Sequence, residues 1–190
     1  MADQFWHSPI TEPKRNFRFE LTITGENNLT WLVKTADKPK VNVSTTPHKY
    51  INHTFNYPGR VVWNPIAITL VDTPFGEGND TSQTVMKFLE KSGYRLPHGS
   101  NEEAQQAAGT NIQKSNAVAA LGKVYLRQLQ NEVIITGPKK GYIDEWELQN
   151  AFIQGDIAFG TLDYASEELT TVSFTLQYDW AIYTAGGLAS

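Results

Sequence analysis

The sequence predicts a mainly β chain: an antiparallel β-sandwich or barrel with one packed α-helix over 81–92, a long protruding loop or hairpin over 35–60, and a partly helical insertion over 95–122. Three observations carry this. From Thr171 to Tyr183, Val172, Phe174, Leu176, Tyr178, Trp180 and Ile182 alternate with Thr171, Ser173, Thr175, Gln177 and Asp179. A period of two puts the first set on a buried face and the second on a wet one, so the stretch reads as one long strand. Shorter alternating stretches recur between Gly-, Pro- and Asn-rich turns, roughly seven to nine strands in all. Helical periodicity is clear only after Asp80, and many strands with one good helix mean a sandwich or barrel with a helix packed on it.

Taken in order, residues 1–16 are polar and contain Pro, with Phe5, Trp6 and Ile10 as anchors, and read as an N-terminal arm or a frayed end. Phe17–Thr24 and Leu29–Lys34 flank the turn cluster Gly25-Glu26-Asn27-Asn28 and are expected to pair as a hairpin. Residues 35–60 are basic and carry Pro39, Pro47 and Pro58, yet Val41, Val43, Tyr50, Ile51, Phe55 and Tyr57 recur through them, which favours an extended hairpin over disorder. Val61–Val71 reads as a strand with an edge or bulge at Pro65.

Asp80 is placed to cap the helix, Gln83 stands at capping-box spacing, Val85, Phe88 and Leu89 share a face, and Gly93 sits where the helix should stop. Residues 95–122 are rich in Ala, Gln, Asn and Gly and read as a surface insertion, with short helices expected from Ser100 to Gly109 and from Ser115 to Leu121. Further strands are expected over Lys123–Leu129, Glu132–Thr136, Ile143–Ile153 and Gly155–Tyr164. At 190 residues the chain suits a single domain, 1–190.

Composition narrows the chemistry. There is no cysteine, so disulfides and thiolate catalysis are excluded. His7, His48, His53 and His98 lack metal-ligand spacing, and neither a nucleophile elbow nor a phosphate loop is present. Asp72, Glu77, Asn79 and Asp80 lack the order of a calcium loop and read as a loop plus a helix cap. No metal, no cofactor, no catalytic residue and no membrane partner is therefore expected. Trp31, Trp63, Trp146 and Trp180 sit at strand positions; core packing is the default for them, with a sugar-binding platform as the alternative.

The net charge of −4 is unevenly spread. After Lys140 the chain has Asp144, Glu145, Glu147, Asp156, Asp163, Glu167, Glu168 and Asp179 but no Lys or Arg, whereas Lys34, Lys38, Lys40, Lys49 and Arg60 face only Asp37 within 34–60. These are either two solvated faces or two halves of a contact between identical subunits. No basic stripe with interleaved aromatics points to a nucleic-acid grip.

The C-terminal third carries a resemblance. Trp146-Glu147-Leu148-Gln149-Asn150-Ala151-Phe152, then Gly160-Thr161-Leu162-Asp163-Tyr164-Ala165-Ser166-Glu167-Glu168-Leu169, then Val172-Ser173-Phe174-Thr175-Leu176-Gln177-Tyr178-Asp179-Trp180 resembles the end of contractile-tail bacteriophage tail tube proteins, a family related to the type VI secretion tube protein. The long loop, Pro58-Gly59-Arg60 and the short helix match in order, so the resemblance spans roughly Phe17 to Tyr183. It implies a structural virion protein, assembled in the host cytoplasm, that forms hexameric rings stacked head to tail into a hollow tube. DNA passes through the lumen without sequence-specific binding; the sheath, baseplate and tape-measure proteins are the implied partners. A tube-end, baseplate or secretion tube protein is the close alternative, and a carbohydrate-binding β-sandwich the distant one.

Within this reading, Lys34, Lys38, Lys40, Lys49 and Arg60 are the expected inter-ring arm. Asp144, Glu145, Glu147, Glu167 and Glu168 are its expected acidic partner face. Thr171, Ser173, Thr175, Gln177 and Asp179 are the expected channel-facing positions.

Overall fold

A computed structural model describes residues 14–25, 32–74, 80–95, 111–129 and 141–185. The strands are β1 (Phe19–Ile23), β2 (Val33–Ala36), β3 (Lys40–Tyr50), β4 (His53–Asn64), β5 (Ile66–Val71), β6 (Val124–Leu129), β7 (Tyr142–Gln149), β8 (Phe152–Ala158), β9 (Thr171–Gln177) and β10 (Trp180–Ala185). The helices are α1 (Thr81–Lys91) and α2 (Lys114–Leu121). A first sheet has the order β1-β6-β7-β10, a second β2-β5-β9-β8, and β3 and β4 pair alone. All pairs are antiparallel.

The core lies where the inner faces of the two sheets meet. β1 and β6 contribute Leu21, Ile23, Val124 and Leu126; β5 and β9 contribute Ile66, Ile68, Leu70, Val172, Phe174 and Leu176, all buried. Helix α1 adds Val85 and Phe88 to the same cluster. Its N-cap is Asp80, whose carboxylate accepts from the Ser82 backbone N–H at 3.1 Å, and Gly93 follows its C-terminus at φ +109°. Ser82 Oγ also donates to Asp72 at 3.1 Å, so Asp72 and Asp80 both serve the helix start.

Four expectations about strands are corrected. The stretch 171–183 is two strands in different sheets: β9 ends at Gln177 in the second, and β10 begins at Trp180 in the first. The alternation breaks there, with Tyr178 buried but Trp180 and Ile182 about half exposed. Ile143–Ile153 is likewise two strands, β7 and β8, split at Asn150, whose φ of 56° turns the chain from one sheet to the other. Val61–Val71 is divided at Pro65, so Val61 and Val62 belong to β4 and are exposed. β1 and β2 do not form a hairpin: β1 pairs with β6 and β2 with β5. Local pairing lost because each strand buries its inner face only in its own sheet.

The helix expected from Ser115 forms as α2, and it is docked: Ala117, Ala120 and Leu121 are buried. Gly25 and Gly122 allow the approach, since a Cβ on Gly25 would stand 2.3 Å from the Ala120 carbonyl oxygen. The strand expected over Glu132–Thr136 and the helix from Ser100 to Gly109 lie outside the described residues, as does the arm as far as residue 13.

Candidate assembly and channel surfaces

The outward face of the second sheet brings most of the expected channel positions together. Cross-strand register aligns Thr175 with Ala67 and Gln154, Ser173 with Thr69 and Ala158, Thr171 with Val71, and Gln177 with Phe152. Thr35 extends the row opposite Thr69. No paired outward position on this sheet is ionisable; Lys34 and Asp156 stand where the ladder is irregular. The paired part of this face is a surface of small hydroxyls, amides, methyls and the Phe152 ring, with Lys34 and Asp156 exposed at its two edge strands.

Asp179 is not part of that face. It lies at the corner between β9 and β10, where its carboxylate accepts from Lys114 Nζ at 2.7 and 2.8 Å and from Asn150 Nδ2 at 2.7 Å. Its backbone N–H donates to the Gln149 carbonyl at 3.0 Å. Lys114 first, then Asn150, hold the Asp179 carboxyl below the usual carboxylate range. Both sheet-to-sheet crossings are thus tied to each other and to α2 by one side chain.

The expected acidic partner face divides in two. Asp144, Glu145 and Glu147 lie on β7 and already have cations in their own chain. Lys14 reaches the buried Asp144, Arg127 pairs with Glu145 directly across the β6–β7 ladder, and Lys123 sits 3.1 Å from Glu147. Burial pushes the Glu147 carboxyl up, but the bonds from Lys123 and Gln149 outweigh it and leave it lowered. The bond to Asp144 raises Lys14. Arg127 also lies over the Tyr125 ring at 4.8 Å. Glu167 and Glu168 are elsewhere, on the exposed loop 159–170 with Asp163.

The expected basic arm is a real protrusion. Every residue of β3 is exposed, as is nearly all of β4, over roughly 35 Å at about 3.3 Å per residue. Lys40, Lys49 and Arg60 lie on it; Lys40 stands 3.9 Å from Asp37. Lys34 is on β2, and Lys38 donates to Gln128 at 2.9 Å, so these two belong to the body of the domain. The hairpin is rooted by Trp63, whose ring lies 6.0 Å from that of buried Tyr178.

The strand expected over Gly155–Tyr164 does not form as such: β8 ends at Ala158, and Phe159 and Leu162 fall in the exposed loop 159–170. Leu162, Tyr164 and Leu169 are 86, 112 and 70% exposed. The available signal was large apolar residues in a stretch without alternation. Of the tryptophans, Trp63 and Trp146 pack against the core, Trp180 is half exposed, and Trp31 lies outside the described residues. Among the described residues no group of His, Asp or Glu is arranged to hold a metal, and no helix is long and apolar enough to cross a membrane.

No protein-family model matches the chain, and no curated protein matches it. Solved structures do. A chain of the anti-feeding prophage baseplate superposes with a TM-score of 0.61 at 10% identity, covering 94% of this chain and 100% of that one. A chain of the sheath–tube complex of the extracellular contractile injection system PVC, in its extended state, gives 0.60 at 14% identity, covering 93 and 94%. One from the sheath/tube terminator of that system gives 0.61 at 14%, covering 93 and 99%. The chain therefore shares its fold with chains of these contractile injection assemblies.

Proposed function

We propose that this chain is the building block of a hollow tube in a contractile tail, with six subunits to a ring and rings stacked head to tail inside a sheath. Its role is structural, without a catalytic step, and its home is the virion tail after assembly in the host cytoplasm. The observation that carries this reading is the outward face of the second sheet, whose paired positions carry no charge, on a fold shared with a chain of a sheath–tube complex. Phosphate contacts with Lys and Arg are what make nucleic acid adhere, so a conduit for DNA needs a wall without them. Thr35, Thr69, Thr171, Ser173, Thr175 and Gln177 would form that wall.

Each sheet also ends in edge strands, β1 and β10 in the first and β2 and β8 in the second. Edges left open invite pairing with another chain, and closing a ring through them removes the hazard. The half-exposed Trp180, Ile182 and Tyr183 on β10 support such a contact.

A tube-end role is the second reading, favoured by the likeness to chains of a baseplate and of a terminator. A sugar-binding module has less support, because Trp63 and Trp146 are committed to the core. Negative-stain electron microscopy across a concentration series separates these. Stacked rings or tubes are expected for a tube subunit, single unstacked rings for an end protein, and a uniform monomer for a binding module.

A further inference from the structure

The exposed large apolar side chains fall mainly on three segments: the β3–β4 hairpin, the loop 159–170 and the edge strand β10. The first two lie at opposite ends of the second sheet. β5 starts at Ile66, one residue beyond the hairpin root, opposite Leu176. It ends at Val71 opposite Thr171, where Asp72 N–H donates to the Thr170 carbonyl at 2.8 Å and so abuts the last residue of the loop. The hairpin leaves one pole of the sheet, and the loop crowns the other.

The two are also complementary. Between Lys38 and Val71 the chain has Lys38, Lys40, Lys49 and Arg60 and no acidic residue, and around the hairpin turn stand Tyr50, Ile51 and Phe55, 61, 83 and 51% exposed. The loop offers Asp163, Glu167 and Glu168 with no basic residue, and Leu162, Tyr164 and Leu169 largely in solvent. It curls around a shallow depression of about 440 Å³ lined by Gly160, Leu162, Asp163, Ser166, Glu168 and Leu169.

We propose that the hairpin tip of one copy seats on the loop 159–170 of the next, with Ile51 and Tyr50 in the depression and Lys49 against Glu167 and Glu168. The occupant is a second copy of this chain, because the donor and the receptor are both on it and at opposite poles. A contact between unlike patches repeats from copy to copy; where the rotation does not close a ring, as for patches at opposite poles, it builds a filament. This places the acidic half of the inter-ring contact in the loop and takes Asp144, Glu145 and Glu147 out of it. It rests on the tube reading above.

The absence of cysteine in the chain makes a clean test. The variants Ile51→Cys and Leu162→Cys, one lengthened by a tag, are mixed and oxidised mildly, then examined by non-reducing electrophoresis and microscopy. A mixed disulfide dimer in the assembled fraction is expected. Tubes without that dimer would overturn the loop as receptor and leave the tube reading standing; failure of the untouched chain to assemble, with no dimer, would overturn both. In a cysteine-free background, Glu167→Lys with Glu168→Lys should raise the concentration needed for stacking about tenfold or more, since juxtaposed like charges cost several kcal/mol. The thermal melt should stay unchanged. Stacking at the original concentration would count against the proposal.

Discussion

Asp179 shows how one side chain is asked to hold two corners of a fold. β9 hands the chain from the second sheet to the first, β7 hands it to β8 in the other direction, and Asp179 meets Asn150 and Lys114 where the two crossings touch. Its carboxyl is lowered by Lys114 and Asn150, so ionisation and folding favour each other. A carboxylate depressed on folding contributes stability that is complete above the unfolded value, about 3.9, and is lost as the pH falls through the lower folded value. Asp179→Asn should therefore flatten the loss of stability below about pH 4, measured as urea unfolding free energy against pH. With the side chain partly in solvent, the expected cost at neutral pH is about 1 kcal/mol. Gly25 is the steric counterpart. Gly25→Ala would drive a Cβ into the Ala120 carbonyl, which is backbone of α2 and cannot rotate away. A loss of about 1–3 kcal/mol is expected, read as a lower urea midpoint at an unchanged slope.

At the scale of elements, the hairpin is the part least involved in holding the molecule together. All of β3 is exposed, and Trp63 at the far end of β4 makes the link to buried Tyr178. Replacing residues 44–60 by a two-residue Asn-Gly turn, so that the turn joins the paired Val43 and Val61, should leave the melting temperature within a few degrees, because few buried apolar groups are removed. The same deletion should abolish stacking in sedimentation. A large drop in melting temperature would mean that the hairpin belongs to the folding unit. The protrusion was legible in the chain because Pro39, Pro47 and Pro58 with Lys and His deny it a core. Helix α1 was legible for a similar reason: cap, period and stop agree over Asp80–Gly93. The sheet assignments were not. Alternation reports which side of a strand is buried and not which sheet it belongs to, so 171–183 read as unbroken although the chain changes sheets at Tyr178 and Asp179. Asn150 carries no stronger mark, since Asn both fits a strand end and tolerates the left-handed region. The intrachain pairing of the acids of β7 was hidden for a further reason. Glu145 meets Arg127 only through the β6–β7 register, which the sequence separation of the two residues conceals.

For the whole molecule, the arrangement separates three tasks. The poles of the second sheet carry the hairpin and the loop 159–170, its outward face carries no paired charge, and ion pairs gather on the first sheet at Lys123–Glu147 and Arg127–Glu145. If the uncharged face is the wall of a conduit, adding charge there should convert passage into retention. Ser173 and Thr175 are half-buried and outward, so a Lys at either can lay its stem on the sheet and lift its ammonium into the lumen. Folding should survive, and six subunits to a ring would multiply every added charge. Tubes of Ser173→Lys with Thr175→Lys should retain short DNA against nuclease at low salt. Retention should weaken between about 50 and 200 mM salt with a log–log slope near −0.9 per phosphate neutralised. Unsubstituted tubes should show neither the retention nor the slope. The control is the same pair of substitutions on the first sheet, at Thr22 and Tyr125, which stand in one cross-strand row with Glu147 on its outward face. If those lysines capture DNA and the pair on β9 does not, the conduit is lined by the first sheet, and the Thr and Ser row faces the sheath.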